Sequence, residues 1–251
     1  MLESFKKLFT RPSPARDFAE VVEWARASGH RFKRVRGEDG FVIDGAFDGM
    51  PWRLEWGPPQ RDYIGGHELR LRMELTLPHD MQMLVLSRTL METLERATYE
   101  QFTDSMQTQI GAQAPEEMRW LVMFPKIDLV ALKTLRARFG AVASVPAAGL
   151  AWIEGPLAEA LERSGDRLLR YDPPFVLMTL RSRVYLRMLL DVPEPAAIAA
   201  VLAVFETGVL QALAAAAGFD GPNRQWHSTS TSATAWQSLH SEELRDLAKP
   251  G

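Results

Sequence analysis

The stretch LRMELTLP at residues 71–78 recurs as LRMLLDVP at residues 186–193. Apolar residues occupy every second position from 69 to 77 and again from 184 to 192, the pattern of a strand with one buried face. A proline ends each stretch, and a helical apolar pattern follows it. Each of the two stretches therefore predicts a strand that is followed by the start of a helix covering it.

The flanking sequence also repeats. FAEVVEWARASGHRFKR (18–34) aligns with LAEALERSGDRLLR (157–170) once three residues are skipped, and METL (91–94) aligns with FETG (205–208). Three similar blocks in the same order favour an internal duplication. The alternative is two generic units that converged on similar patterns.

Each unit reads as a helix, an antiparallel meander and a long helix, so the predicted fold class is α+β. The predicted sections are an amphipathic leader (1–15), repeat unit 1 (16–110), a connecting βα section (111–149), repeat unit 2 (150–219) and a polar Ser/Thr-rich tail (220–251). This order of elements is similar to half of the TATA-binding-protein fold and to the small chaperones of type III secretion. The resemblance implies a fold and no activity.

In unit 1 Asp17 is expected to cap a helix that ends at Gly29. The predicted strands are RFKRVR (31–36), GFVIDGAF (40–47), PWRLEW (51–56) and ELRLRMELTL (68–77). A long helix is expected from Asp80, because apolar residues from Met83 to Ala97 recur at helical spacing. That helix would cover the sheet.

The rest of the chain is predicted in the same way. The expected strands are RWLVMF (119–124), one near AVASV (141–145), LLRY (168–171), FVLMTLRSR (175–183) and VYLRMLLDV (184–192). The expected helices are 128–139, GPLAEALERSG (155–165) and an alanine-rich segment that Gly218 ends. Unit 2 thus has a shorter meander than unit 1.

Composition excludes several classes of protein. The 251 residues are 46% hydrophobic, which can supply a core, and contain no cysteine, so disulfides and thiolate metal sites are excluded. A net charge of -3 gives no global attraction to nucleic acid, which is an unlikely partner. We expect no signal peptide and no bilayer-spanning segment, and we expect a cytoplasmic location, in a bacterium.

The leader has a helical apolar face beside basic residues. Leu2, Phe5, Leu8 and Phe9 share that face, which is how a short interfacial anchor looks. A weak peripheral membrane contact is one interpretation. Docking of the leader on its own domain, or a frayed terminus, is the favoured one.

No catalytic, cofactor or metal motif is found. The commonest hydrolase, nucleotide and dinucleotide signatures are absent, and no HExxH spacing occurs. A metal-binding cluster of His67 and His79 with Asp62 or Asp80 could form only if the loop before the fourth strand folded back over the start of the long helix. The stronger interpretation is that Asp80 caps a helix and His79 belongs to a turn.

Basic residues are the best candidates for partner binding. Arg70, Arg72, Arg181 and Arg183 alternate on predicted strands and would lie opposite the long helices. The competing interpretation is a solvated sheet face on which Glu55, Glu68 and Glu74 pair with the arginines, and it is favoured.

Two tryptophans, Trp226 and Trp236, stand in the polar tail. An aromatic-bearing tail is typical of a partner-docking motif, and packing back on the domain is the equal alternative. The sequence as a whole predicts a non-enzymatic adaptor, chaperone-like or regulatory protein with a protein partner. The alternative is a small-molecule or lipid carrier with a cavity between meander and long helix. An enzyme that uses the loop of Asp62 and His67 comes third.

Overall fold

The computed structural model describes residues 17–104, 115–165 and 168–219. The strands are β1 (Arg31–Arg34), β2 (Phe41–Phe47), β3 (Met50–Gly57), β4 (Glu68–Glu74), β5 (Met83–Ser87), β6 (Phe139–Ala143), β7 (Phe175–Thr179) and β8 (Arg183–Leu189). The helices are α1 (Ala19–Ala27), α2 (Arg88–Asp104), α3 (Glu116–Met123), α4 (Lys133–Arg138), α5 (Pro146–Ile153), α6 (Pro156–Gly165) and α7 (Pro195–Phe219). The predicted leader and tail, with Trp226 and Trp236, lie outside the described residues.

All the described strands join one eight-stranded sheet in the order β1-β2-β3-β4-β8-β7-β5-β6. Neighbouring strands are antiparallel throughout. The α+β class is confirmed, and β1 to β4 form the predicted meander. Asp17 was expected to cap α1, but the N-cap residue is Phe18; the Asp17 carboxylate, one residue earlier, accepts a hydrogen bond of 3.0 Å from the amide nitrogen of Ala19.

The repeated stretches meet at the centre of the sheet. β4 pairs with β8 so that Leu71 lies opposite Leu186, the equivalent leucine of the other copy. This is the arrangement that a two-fold axis between the copies would produce. Beyond β7 and β8, however, the second half of the sheet takes β5 and β6 from earlier in the chain, so the duplication stays a prediction.

One face of the sheet is covered along its length. Inward side chains of the strands pack with α1, α5, α6 and α7 in one core. Its largest fully buried members are Trp56, Trp152, Phe41, Phe139, Phe175 and Phe205. The carrier hypothesis expects a cavity between the meander and the long helix, a layer in which Trp152 donates a hydrogen bond of 2.8 Å from its indole nitrogen to the carbonyl oxygen of Gly208 on α7.

The second face is covered over only half of its width. There α2 and α3 pack on outward residues of β5, β6 and β7. This smaller core contains Leu84, Leu86, Leu90, Met91, Leu94, Met118, Trp120, Leu121, Val142, Val176 and Met178. Over β1 to β4 and β8 the second face is polar.

Several predicted elements are wrong. Residues 83–87, expected in a helix, form β5, which is buried on both faces. Residues 119–124, expected as a strand, lie mostly in α3, and LLRY (168–171) is a turn. The helix expected from 128 to 139 is shorter, because residues 128–132 are turn and irregular backbone and Phe139 starts β6.

We expected no segment long and apolar enough to span a bilayer, and α7 is an exception to that expectation. Among the described residues it is the one helix long and apolar enough to cross a membrane, with a mean hydropathy of 1.9 over 18 residues. Core helices share this composition, and here α7 buries Val201, Phe205 and Val209 against the sheet and the neighbouring helices.

The turn between β7 and β8 is built without glycine. Leu180 and Arg183 exchange both backbone hydrogen bonds, at 2.8 and 3.0 Å, and enclose the two residues Arg181 and Ser182. Both have positive φ, 50° and 59°, which is the type I′ geometry that favours Asn-Gly. The Ser182 hydroxyl donates to the carbonyl oxygen of Leu77 at 2.9 Å, so Arg181 is the position free to change.

We predict that Arg181→Asn stabilises the protein by roughly 0.5–1 kcal/mol, because asparagine tolerates the left-handed region better than other side chains with a Cβ. The control is Arg181→Ala, which removes the guanidinium group but keeps the strain. Urea unfolding followed by tryptophan fluorescence measures both. An asparagine variant no more stable than the alanine variant would contradict the prediction.

Candidate binding surface

The polar half of the second face carries charged side chains of both signs. Its side chains come from alternate positions of β1, β2, β3, β4 and β8, whose other positions fill the core. They are Arg31, Lys33, Asp44, Arg53, Glu55, Glu68, Arg70, Arg72, Glu74, Arg183 and Arg187. We call this set the open face.

Arg70 and Arg72, predicted for partner binding, lie at its centre. Arg70 donates a hydrogen bond of 3.0 Å to the carbonyl oxygen of Pro58 and lies 3.4 Å from one carboxylate oxygen of Glu55. Arg72 lies 3.5 Å from the other oxygen. Arg70 is also 3.3 Å from Glu68. Glu55 and Glu68 are thus the ion partners that the sequence suggested.

The two predicted residues on the second repeat lie apart from each other. Arg183 is on the open face and donates to the Glu74 carboxylate at 2.6 Å. Arg181 is exposed in the hairpin turn. The structure therefore brings Arg70, Arg72 and Arg183 onto one surface and leaves Arg181 at its end.

A buried charge cluster lies between the open face and α3. It consists of Glu68, Glu117, Arg61, Arg187 and Tyr63. The side chains of both glutamates are fully buried, at 0% exposure. Arg187 bridges them, with nitrogen atoms 3.1 Å from Glu68 and 3.6 Å from Glu117.

The buried charge cluster also holds the loop that precedes β4. The Tyr63 hydroxyl donates to Glu117 at 3.0 Å, and Arg61 lies 3.4 Å from the same oxygen. Burial, followed by the Glu117 charge, raises the pKa of Tyr63, so the phenol remains a hydrogen-bond donor. The backbone amide of Gln60 donates to Glu68 at 2.6 Å. Loop, helix and sheet are therefore joined through two carboxylates.

Sequence reasoning missed Glu117 and Arg61. Glu117 was visible only as an acidic residue at the start of an apolar stretch, beside Glu116. Its partners are 54 residues or more away in the chain. No local spacing could have connected them.

We predict that Glu117→Gln lowers the free energy of unfolding by about 3 kcal/mol, because removal of one partner from a buried ion pair leaves the others uncompensated. The matched control is Glu92→Gln, which changes an exposed carboxylate on α2 and should cost less than about 0.5 kcal/mol. Urea unfolding measures both. Equal midpoints for the two variants would show that the cluster does not hold α3.

A cationic groove of about 860 Å³ lies at the β1 end of the open face. Arg31, Lys33, Arg34, Arg36 and Arg53 line it, together with one acidic residue, Asp44. Arg53 donates to Asp44 at 2.7 Å and Arg31 donates to it at 3.4 Å. The hydrogen bond from Arg53 leads the effects that lower the pKa of Asp44. We call this site the cationic groove.

His67 has a structural environment. Its ring stacks on Trp56 with centroids 4.4 Å apart, and its Nε2 atom is 3.3 Å from Asp39. Its amide donates to the Asp191 carboxylate at 3.0 Å. Asp62 and His79 are exposed elsewhere, in separate turns. The described residues include no group of three or more acidic or histidine side chains able to hold a metal ion.

An alanine-lined groove of about 450 Å³ runs between α6 and α7, on the side of α7 away from the sheet. Its lining includes Ala160, Ala197, Ala200 and Ala203, with Arg163 and Glu194 among its charged residues. It differs from the cavity that the carrier hypothesis expects, since it opens on the outside of the helical layer.

Comparisons with known proteins give little support for a family. No family model matches this chain, and no curated protein matches it. Among solved structures, it is similar to the crystal structure of the mycobacterial trehalose monomycolate transport factor A, TtfA. That likeness has a TM-score of 0.45 and 5% identity over 76% of this chain and 92% of the other. At this level no functional argument follows from it.

Proposed function

We propose that this chain is a non-enzymatic binding protein that docks a protein partner on its open face, in an adaptor, chaperone-like or regulatory role in the bacterial cytoplasm. One observation carries the proposal. The second face is covered by α2 and α3 over β5 to β7, whereas over β1 to β4 and β8 it carries mainly charged side chains, of which Arg31, Lys33, Arg53, Arg72 and Arg183 are exposed.

The order of these charges supports a docking role. Arg72 and Arg183 are exposed, but each lies against a carboxylate on a neighbouring strand, at 3.5 and 2.6 Å. Exposed pairs of this kind add little stability, typically 0–1 kcal/mol. Complementary charges at an interface contribute mainly to specificity and to the rate of association. A sheet that holds positive and negative side chains next to one another can therefore select a partner with the complementary order of charges.

The non-enzymatic part of the proposal rests on the sequence. It contains none of the common catalytic signatures. The arginines at the centre of the open face are engaged by Glu55, Glu68 and Glu74.

Site-specific photocrosslinking in cells tests the proposal. A photoreactive residue at Ala46, exposed on β2 beside the open face, should crosslink a discrete protein. The control position is Ala151, exposed on α5 in the opposite layer. The captured protein is then purified, and its Kd should weaken about tenfold for Arg72→Glu, because an attractive contact becomes repulsive.

Two results would contradict this function. One is the same set of products from Ala46 and from Ala151, which indicates random collision. The other is an unchanged Kd for the Arg72→Glu variant, provided that its unfolding midpoint equals that of the unchanged protein.

A carrier of a small molecule or lipid is the second candidate, favoured by the alanine-lined groove between α6 and α7. Small side chains leave room there for an apolar ligand. Native mass spectrometry of the purified protein should show a bound mass that Ala200→Trp removes, because the indole fills the groove. Ala151→Trp, outside the groove, should retain that mass. No bound mass in the unchanged protein would exclude a copurifying ligand.

A further inference from the structure

The cationic groove has an unbalanced charge, unlike the centre of the open face. Arg34 lies over the Phe18 ring, 5.2 Å from its centroid; the other four cationic residues, Arg31, Lys33, Arg36 and Arg53, and the one carboxylate leave a formal charge of +3. At the centre, by contrast, three carboxylates, those of Glu55, Glu68 and Glu74, pair with the three arginines Arg70, Arg72 and Arg183. Unbalanced charge concentrated in one concave site is the feature of this surface that ion pairing within the chain does not explain.

Asp44 orders the groove and leaves most of its charge unbalanced. Its carboxylate holds Arg53 at 2.7 Å and Arg31 at 3.4 Å, so two guanidinium groups are fixed in position on β3 and β1, on either side of β2. Lys33 and Arg36 are exposed at the same site. A ligand with carboxylates would find two preordered cations and two further exposed ones.

The shape of the site favours an extended chain. β1 is an edge strand of the sheet, and Arg31 and Lys33 project from alternate positions toward the same face. Alternate residues of a strand are spaced by about 6.6 Å. An extended peptide has the same spacing, so acidic residues at every second position would match Arg31 and Lys33 in register.

The surroundings of the groove disfavour longer polyanions. Next to it along the sheet lie Glu55, two residues from Arg53 on β3, and Arg72, which is opposite Arg53 and 3.5 Å from Glu55. A phosphate backbone that continued across the face would meet the Glu55 carboxylate. The net charge of the chain is -3. A second copy of this chain is also disfavoured, because two basic β1 edges would repel each other.

We infer that the cationic groove binds an extended acidic segment of the protein partner, with carboxylates at alternate positions facing Arg31 and Lys33. This inference rests on the proposed function and specifies the chemistry of the partner. The occupant is a short stretch of glutamate or aspartate alternating with other residues.

The test uses fluorescence anisotropy with the full chain and a labelled 12-residue peptide of alternating glutamate and serine. A peptide with glutamine for glutamate is the uncharged control. The double variant Lys33→Glu, Arg36→Glu should weaken the Kd for the acidic peptide by about tenfold or more. Lys33→Gln, Arg36→Gln should give a smaller loss, and higher salt should weaken binding by the unchanged protein.

The matched control is Lys133→Glu, Arg136→Glu, which makes the same change of net charge on exposed residues of α4. It should leave the Kd within about twofold, since these residues are remote from the groove. Equal weakening by both double variants would overturn the inference, because net charge alone would then explain binding. Circular dichroism checks that each variant is folded.

Two further arms separate other classes of ligand. A 12-nucleotide single-stranded RNA and vesicles with 30% phosphatidylserine are titrated in parallel. Tighter binding of either one than of the acidic peptide, lost in Lys33→Glu, Arg36→Glu, would overturn the inference in favour of that ligand. Absence of peptide binding, with successful crosslinking from Ala46, would refute the inference and leave the proposed function intact.

Discussion

The pairing of β4 with β8 is the constraint on which the rest of the structure depends. It is the only junction between the two halves of the described sheet. Leu71 and Leu186 point from it into the main core, while Arg70 and Arg187, opposite each other, point to the other face. A shift by one residue would exchange these faces. The apolar core and the buried charge cluster therefore fix the same register independently.

Much of the first half of the fold follows from its sequence. In β3 and β4 buried apolar residues alternate with polar ones, so the alternation of residue types is visible. β5 lacks that signal because all of MLVLS is buried. A strand that is buried on both faces shows no alternation of apolar and polar residues. The segment 119–124 is apolar at nearly every position, and only the packing of Trp120 and Leu121 on the sheet makes it a helix.

The candidate surface was predictable only where its partners are neighbours in the meander. Glu55 and Arg70 lie on consecutive strands, so a hairpin alignment brings them together. Glu117 meets Arg187 because α3 packs beside the centre of the sheet, which no pattern near residue 117 indicates. The cationic groove, like the contact of Glu55 with Arg70, depends on a hairpin alignment, because Arg53 lies opposite Asp44 across the β2–β3 hairpin.

The order of the strands has a consequence for synthesis of the chain. β1 to β4 are translated first, but their inner edge is completed by β8 and their apolar face by α7. These contacts join residues separated by more than 100 positions, which makes closure slow. Until residues 183–219 have emerged, Leu71 lacks Leu186 beside it, and the Trp56 indole lacks the Leu190 carbonyl oxygen to which it donates. Each nascent chain thus passes through an interval in which an unpaired strand edge and an apolar sheet face are open to chaperones and to aggregation.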